Sequence, residues 1–128
     1  MSTEANKAIM RRYWDEPWTA KILDRFDELM EASKAPEEKD FAESFWRAFP
    51  DLRIVADEMI GEGNAVISRL TLTGTHLGEF QGKAPTGKRF TIGAFALHHI
   101  VDGRIVRDGH YNQIDWLGLH RQLGLISE

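Results

Sequence analysis

An α+β fold, a curved antiparallel sheet with the N-terminal helices packed on its concave face, is what the pattern of this chain predicts. Three observations carry that expectation. Apolar residues recur at helical spacing as far as Phe49 and at strand spacing beyond Pro50. The strand-like segments are joined by short Gly-containing turns, the connection that antiparallel neighbours use. Helices gathered at one end of the sequence, instead of alternating with strands, pack on one face of a sheet.

Each element has its own signals. From Thr3 to Trp14, Ala5, Ala8, Ile9, Tyr13 and Trp14 follow helical spacing, with Ser2 or Thr3 available as the N-cap. The Glu16-Pro17 step is expected to break the chain, because the residue before proline avoids helix. Thr19 then caps a second helix with Ile22, Leu23, Phe26, Leu29 and Met30 along one stripe. Pro36 suits the first turn of a third helix carrying Phe41, Phe45, Trp46 and Phe49, which Pro50 ends. Beyond it, Leu52, Ile54, Ala56, Glu58 and Ile60 alternate imperfectly, and Gly61 to Asn64 supplies a turn. Ala65 to His76 is a long strand with Val66, Ser68, Leu70 and Leu72 on one face. Gly78, Gly82, Pro85 and Gly87 punctuate a loop before the third strand, Arg89 to Val101. Asp102-Gly103 is a hairpin signal, Arg104 to Asn112 returns, and Leu117, Leu119, Leu123 and Leu125 mark a short closing helix within Ile114 to Ile126.

Composition excludes several classes of function. At 128 residues, with 42% hydrophobic and 28% charged residues, the chain (1–128) is expected to be a single globular domain. No apolar run approaches the ~20 residues of a membrane span, and no signal-peptide pattern opens the chain. We therefore expect a soluble, cytoplasmic protein with no membrane partner. Zero cysteines exclude disulfides, thiolate zinc sites and a cysteine nucleophile together. A net charge of -4 with scattered basic residues gives no footprint for nucleic acid.

The words AFPDLRI at Ala48 to Ile54, LTGTHLGEFQGKAPTGKRF at Leu72 to Phe90, IVDGRIV at Ile100 to Val106 and RQLG at Arg121 to Gly124 resemble the SnoaL-like polyketide cyclases. That family lies within the wider group of NTF2-like, ketosteroid isomerase-like cone folds. The resemblance implies a cone with a pocket between sheet and helices and a homodimer formed through the outer sheet face. It also implies a small hydrophobic ligand and aldol-type ring closure of a polyketide, or isomerisation of a carbonyl compound, with no metal and no cofactor. Where the family carries its acid/base aspartate, this chain is expected to place His110. The stretch from Met30 to Arg47 looks too brief for the short strand and loop that usually complete the pocket, so part of its wall is expected to be missing. A non-catalytic ligand-binding dimer built on the same cone is the alternative. Epoxide hydrolysis in such a cone needs an Asp-Arg-Asp set, which Arg107 and Asp108 on one strand do not supply.

The register of the Asp102-Gly103 hairpin decides which residues share a face. A three-residue loop, Val101 to Gly103, pairs Ile100 with Arg104, Ala96 with Asp108 and Ala94 with His110. One face then holds Ile92, Ala94, Ala96 and His98 beside Val106, Asp108, His110 and Asn112, a small-residue floor next to polar groups. A two-residue turn would instead set Phe95 opposite His110. In the first register His110 is the candidate proton shuttle, since an imidazole titrates near neutral pH, and Asp108 is its orienting partner. The plainer reading of His110 is a half-exposed edge-strand residue. His98 shares the face, though near the hairpin it reads first as a surface imidazole at the rim, while His99 points away, which makes the pair a weak metal signal. Tyr13, Trp14 and Trp46 are expected to line the cavity with Ala94, Ala96, His98 and Asn112. Asp115 reads first as the cap of the last helix and second as a substrate contact. His76 reads as structural and His120 as exposed. Gly82 to Lys88 lacks the ending of a phosphate loop and lies between strands.

Overall fold

A computed structural model describes residues 2–126. Helix α1 spans Thr3–Tyr13, α2 Asp24–Leu29, α3 Ala35–Ala48 and α4 Trp116–Gln122. The strands are β1 Arg53–Glu62, β2 Ala65–Thr75, β3 Arg89–Val101 and β4 Arg104–Ile114, joined in one antiparallel sheet of order β1-β2-β3-β4. The sheet is curved and the N-terminal helices cover one face, which is the α+β cone expected from the pattern.

Ser2 caps α1, its hydroxyl accepting the Ala5 N–H at 3.1 Å. The chain does not break at Glu16-Pro17 as expected. Trp14–Thr19 continues α1 as a π-helical stretch with Pro17 inside it. The wider turn tolerates a residue that lacks an N–H and would crowd the carbonyl four residues back. Thr19 is likewise not a helix cap. Its hydroxyl donates to the Ile54 carbonyl (3.1 Å) and accepts the Ile54 N–H (3.0 Å), stitching the π stretch to β1.

α3 carries Pro36 in its first turn and stops before Pro50, as the sequence predicts. Its buried residues, Ala35, Glu38, Ala42, Phe45 and Ala48, fall on one helical face. The imperfect alternation of β1 is a bulge between Ala56 and Glu58. On β3 the alternation is strict: Phe90, Ile92, Ala94, Ala96, His98 and Ile100 are all buried. They face Met10, Tyr13, Trp14, Phe26 and Phe45 in a continuous core.

The β3–β4 hairpin overturns the expected register. Val101 pairs with Arg104, so the loop has two residues, Asp102 (φ 51°) and Gly103 (φ 80°), the two positive angles of a type I′ turn. A regular ladder from that turn would point His110 outward. The ladder is not regular: His99 pairs with Val106, but Leu97 pairs with Tyr111. Five steps along β4 therefore match two along β3, which leaves three extra residues in a bulge. An odd insertion reverses the faces once more. Ala96 consequently pairs with Asn112 and Ala94 with Ile114, in place of the expected Asp108 and His110. At the bulge Gly109 has φ +77°, and a Cβ there would lie 2.4 Å from the His99 ring.

Candidate active site

Between the sheet, the α1–π segment and α3 lies a cavity with an empty volume of about 530 Å³, counted with its open mouth. Leu52, Ile54, Leu70, Leu72, Ala94 and Ala96 form its sheet wall, and Trp14, Trp18, Phe41 and Phe45 its helix wall. A lining of this kind binds rings by area and leaves orientation to the few polar groups present. Those groups are Tyr13, Glu38, His98, His110 and Asn112.

Four of the five belong to one array. Lys34, buried where α3 begins, places Nζ 2.8 Å from His110 Nδ1. The same Nζ lies 4.0 Å from Glu38 Oε1, one turn further along α3. Glu38 Oε2 accepts a 2.5 Å hydrogen bond from the Tyr13 hydroxyl. His98 stacks on His110 with ring centroids 4.5 Å apart and planes 23° apart, and its edge meets Tyr13 and Trp14.

Burial above all, then the nearby charges of His110, Lys34 and His99, hold the His98 pKa well below its ordinary value. His98 is therefore a neutral imidazole, and both of its buried ring nitrogens lack a protein partner among the described residues. His110 is also held below the ordinary histidine value, first by burial and then by Lys34, with Glu38 opposing. Burial and the Glu38 carboxylate push Tyr13 well above the usual phenol value, so Tyr13 stays a donor. An ammonium has protons to donate and no lone pair. Lys34 thus fills Nδ1 of His110, and the neutral ring carries its own proton on Nε2.

Tyr13, Trp14, Ala94, Ala96, His98, His110 and Asn112 all line the cavity. His98 is not at a rim: it is 1% exposed, in the cavity wall. Trp46 turns away from the cavity; its indole donates to the Trp18 carbonyl at 3.2 Å and its ring stacks on Phe26. Asp108, expected beside His110, is exposed in the bulge on the outer side, in a surface hollow with His99 and Val106. Lys34 occupies the place by Nδ1 that Asp108 was expected to take. Asp115 caps α4, accepting the Gly118 N–H at 2.9 Å. His76 is buried and braces the loop through Thr86, and His120, half-buried, bonds the Trp116 carbonyl and Gln81.

The sequence reading missed Lys34, Glu38 and Trp18. A signal for Glu38 existed: it stands three residues after Ala35 and four before Ala42, in phase with the buried face of α3. The expectation of a missing pocket wall is also corrected. The short strand shrinks to one parallel bridge, Met30 with Ile105, and α3 supplies the wall through Glu38, Phe41 and Phe45. Among the described residues no group of three or more His, Asp or Glu side chains is placed to hold a metal ion.

A curved four-stranded antiparallel sheet covered by N-terminal helices is the α+β cone of the NTF2-like fold. The family model of the SnoaL-like polyketide cyclases matches residues 7–123, and the chain belongs to that family. Aklanonic acid methyl ester cyclase AcmA of Streptomyces galilaeus is 46% identical over 59 residues, 46% of this chain. The matched stretch spans 40% of AcmA, well under two thirds of that protein. Among solved structures, TsrD of Streptomyces laurentii superposes with a TM-score of 0.89 at 21% identity, covering 98% of this chain and 99% of TsrD. AclR of Streptomyces galilaeus, described as a candidate hydroxylase, gives 0.87 at 25% identity, covering 99% of this chain and 85% of AclR.

Proposed function

We propose that this chain is a cofactor-independent cyclase that closes a ring in a hydrophobic, polyketide-type carbonyl compound by intramolecular aldol addition. The observation that carries the reading is the His110 ring: stacked on neutral His98, tied at Nδ1 to Lys34, and set in the wall of an apolar cavity. Its Nε2 proton is free of protein partners among the described residues and is available to a substrate carbonyl. When a proton leaves the adjacent carbon, negative charge develops on that carbonyl oxygen. A fixed donor backed by an ammonium stabilises such charge most where water is excluded. The aromatic helix wall holds the substrate rings, and Asn112 at the mouth offers an amide to a second oxygen. An isomerisation through the same enolate is the related reaction.

The name of AcmA makes aklanonic acid methyl ester the first substrate to test. Aldol addition loses no atoms, so the product has the mass of the substrate and differs in chromatographic retention. Conversion by the wild type and a loss of about 10²-fold or more in His110→Ala is expected; undiminished turnover by the folded variant would refute the role of His110. The non-catalytic binding module is the less favoured reading, since the matching relatives are named as cyclases.

A homodimer and a cytoplasmic site of action belong to the same proposal. Ile60, Ile67, Leu97 and Tyr111 pair in one row across all four strands on the outer face of the sheet. Ile60, Ile67 and Tyr111 are 62%, 43% and 59% exposed, and a row of that kind suits a second sheet.

A further inference from the structure

A His110 ring with its proton on Nε2 donates and cannot accept, so the cyclase reading still requires a group that removes the substrate proton. We propose that Glu38 of α3 is this base, placing the proton-abstracting carboxylate on the helix wall of the cone and not on strand β4. The inference rests on the cyclase reading and goes beyond it.

Glu38 is the one carboxylate among the described residues that lines the cavity. Asp108 faces the outer side and Asp115 is spent on capping α4. The Tyr13 hydroxyl anchors Oε2 and the Lys34 ammonium stands 4.0 Å from Oε1, so one oxygen is held and the other is left without a close hydrogen bond among the described residues. A carboxyl group on the buried face of a helix among Ala35, Ala42 and Phe45 is costly to keep for packing alone. Its neighbours, Lys34 and Tyr13, are a cation and a donor.

The steps balance. Oε1 takes the proton from the carbon next to the carbonyl, and the C–H electron pair passes into the enolate, whose oxygen rests on His110 Nε2–H. The enolate carbon forms a bond to the second carbonyl carbon, and the π pair of that C=O moves onto its oxygen. That oxygen takes the proton back from Glu38. One proton leaves and returns, and no oxidant, reductant or co-reactant is used.

The test separates a base from a brace. Ethyl benzoylacetate, an aromatic β-keto ester, is incubated in buffered D₂O, and loss of its methylene signal is followed by NMR against buffer alone. Wild type is expected to accelerate exchange. Glu38→Gln keeps an acceptor for Tyr13 but has no proton affinity to match, and should lose about 10²-fold to 10⁴-fold of that acceleration at unchanged probe affinity. Wild-type exchange in E38Q would overturn the assignment of Glu38 while leaving the cyclase reading standing. A wild-type chain that binds the probe and does not accelerate exchange would overturn both. Should E38Q fail to fold, Glu38→Asp decides: slowed exchange supports the assignment, and an unchanged rate overturns it.

Discussion

Gly109→Ala should cost this protein measurable stability and loosen the hold on His110 together. Residue 109 has φ +77°, where a side chain is strained by roughly 1–2 kcal/mol relative to glycine. The new Cβ would also stand 2.4 Å from both Nδ1 and Cε1 of His99, so the ring must rotate or the bulge must shift. Forcing a ring off its rotamer adds about 0.5–1.5 kcal/mol. The expected total is about 2–3 kcal/mol, and for a chain of this length each kcal/mol lowers Tm by about 3–5 °C, or roughly 10 °C in all. Thermal unfolding followed by circular dichroism measures it. A companion variant isolates the ring contact: G109A combined with His99→Ala should recover about 1 kcal/mol relative to additivity, because the clash is gone while the backbone strain persists. A G109A melt within about 1 °C of wild type would refute the left-handed bulge, and no recovery in the double variant would refute the His99 contact.

Two further predictions concern charge. Lys34→Met removes one of the two influences that depress His110, so the His110 pKa measured by NMR titration should rise toward the ordinary histidine value; an unmoved titration would exclude the Lys34 contact. Stability should fall on mild acidification. His98 and His110 both have folded pKa values below the unfolded value of about 6.5, so the unfolded chain binds more protons as pH drops through that point. The stability tied to their neutral forms is complete above pH ~6.5 and is lost toward their folded values. Urea midpoints should therefore decline from pH 7.5 to 5.5, less steeply in His98→Asn, and superimposable slopes would refute the burial of a neutral His98.

The face of His110 was legible because two departures from the expected hairpin cancel. A three-residue loop with a regular ladder and a two-residue turn with a three-residue bulge put His110 on the same side of the sheet. Asp-Gly announces a hairpin, yet loop length is decided by whether both residues take positive φ, as Asp102 and Gly103 do. Gly109 in mid-strand was the local sign of a bulge. How many residues it takes up depends on the His99 ring and on pairings at either end, which no local pattern records. The cancellation fails for residues inside the bulge, and this is why Asp108 and His110, two apart in sequence, lie on opposite sides. The same limit applies at Pro17, where a π turn absorbs the proline that ordinary helical geometry would not. β3 was fully legible because a strand paired on both sides and buried on one face has no such freedom.

The distance between Lys34 and His110 is set by contacts that lie outside the cavity. The Arg107 N–H donates to the Glu31 carboxylate at 2.6 Å, and the Glu31 N–H donates to the Ile105 carbonyl at 2.8 Å. The Arg107 guanidinium reaches the Ser33 carbonyl at 2.7 Å and Glu37 at 2.9 Å. Each exposed ion pair in such a set is worth little alone. Here the Arg107–Glu37 pair follows Lys34 in the chain while the bonds at Glu31 and Ser33 precede it, and together they clamp the start of α3 to the start of the bulge. An imidazole carried on a bulged strand and a lysine carried on a helix cap would otherwise drift independently. A donor aimed at a developing oxyanion loses much of its value when displaced by as little as about 1 Å. The bulge therefore does more than return His110 to the inner face: it brings Arg107 to α3, and so binds the element that carries the imidazole to the one that carries Lys34 and Glu38.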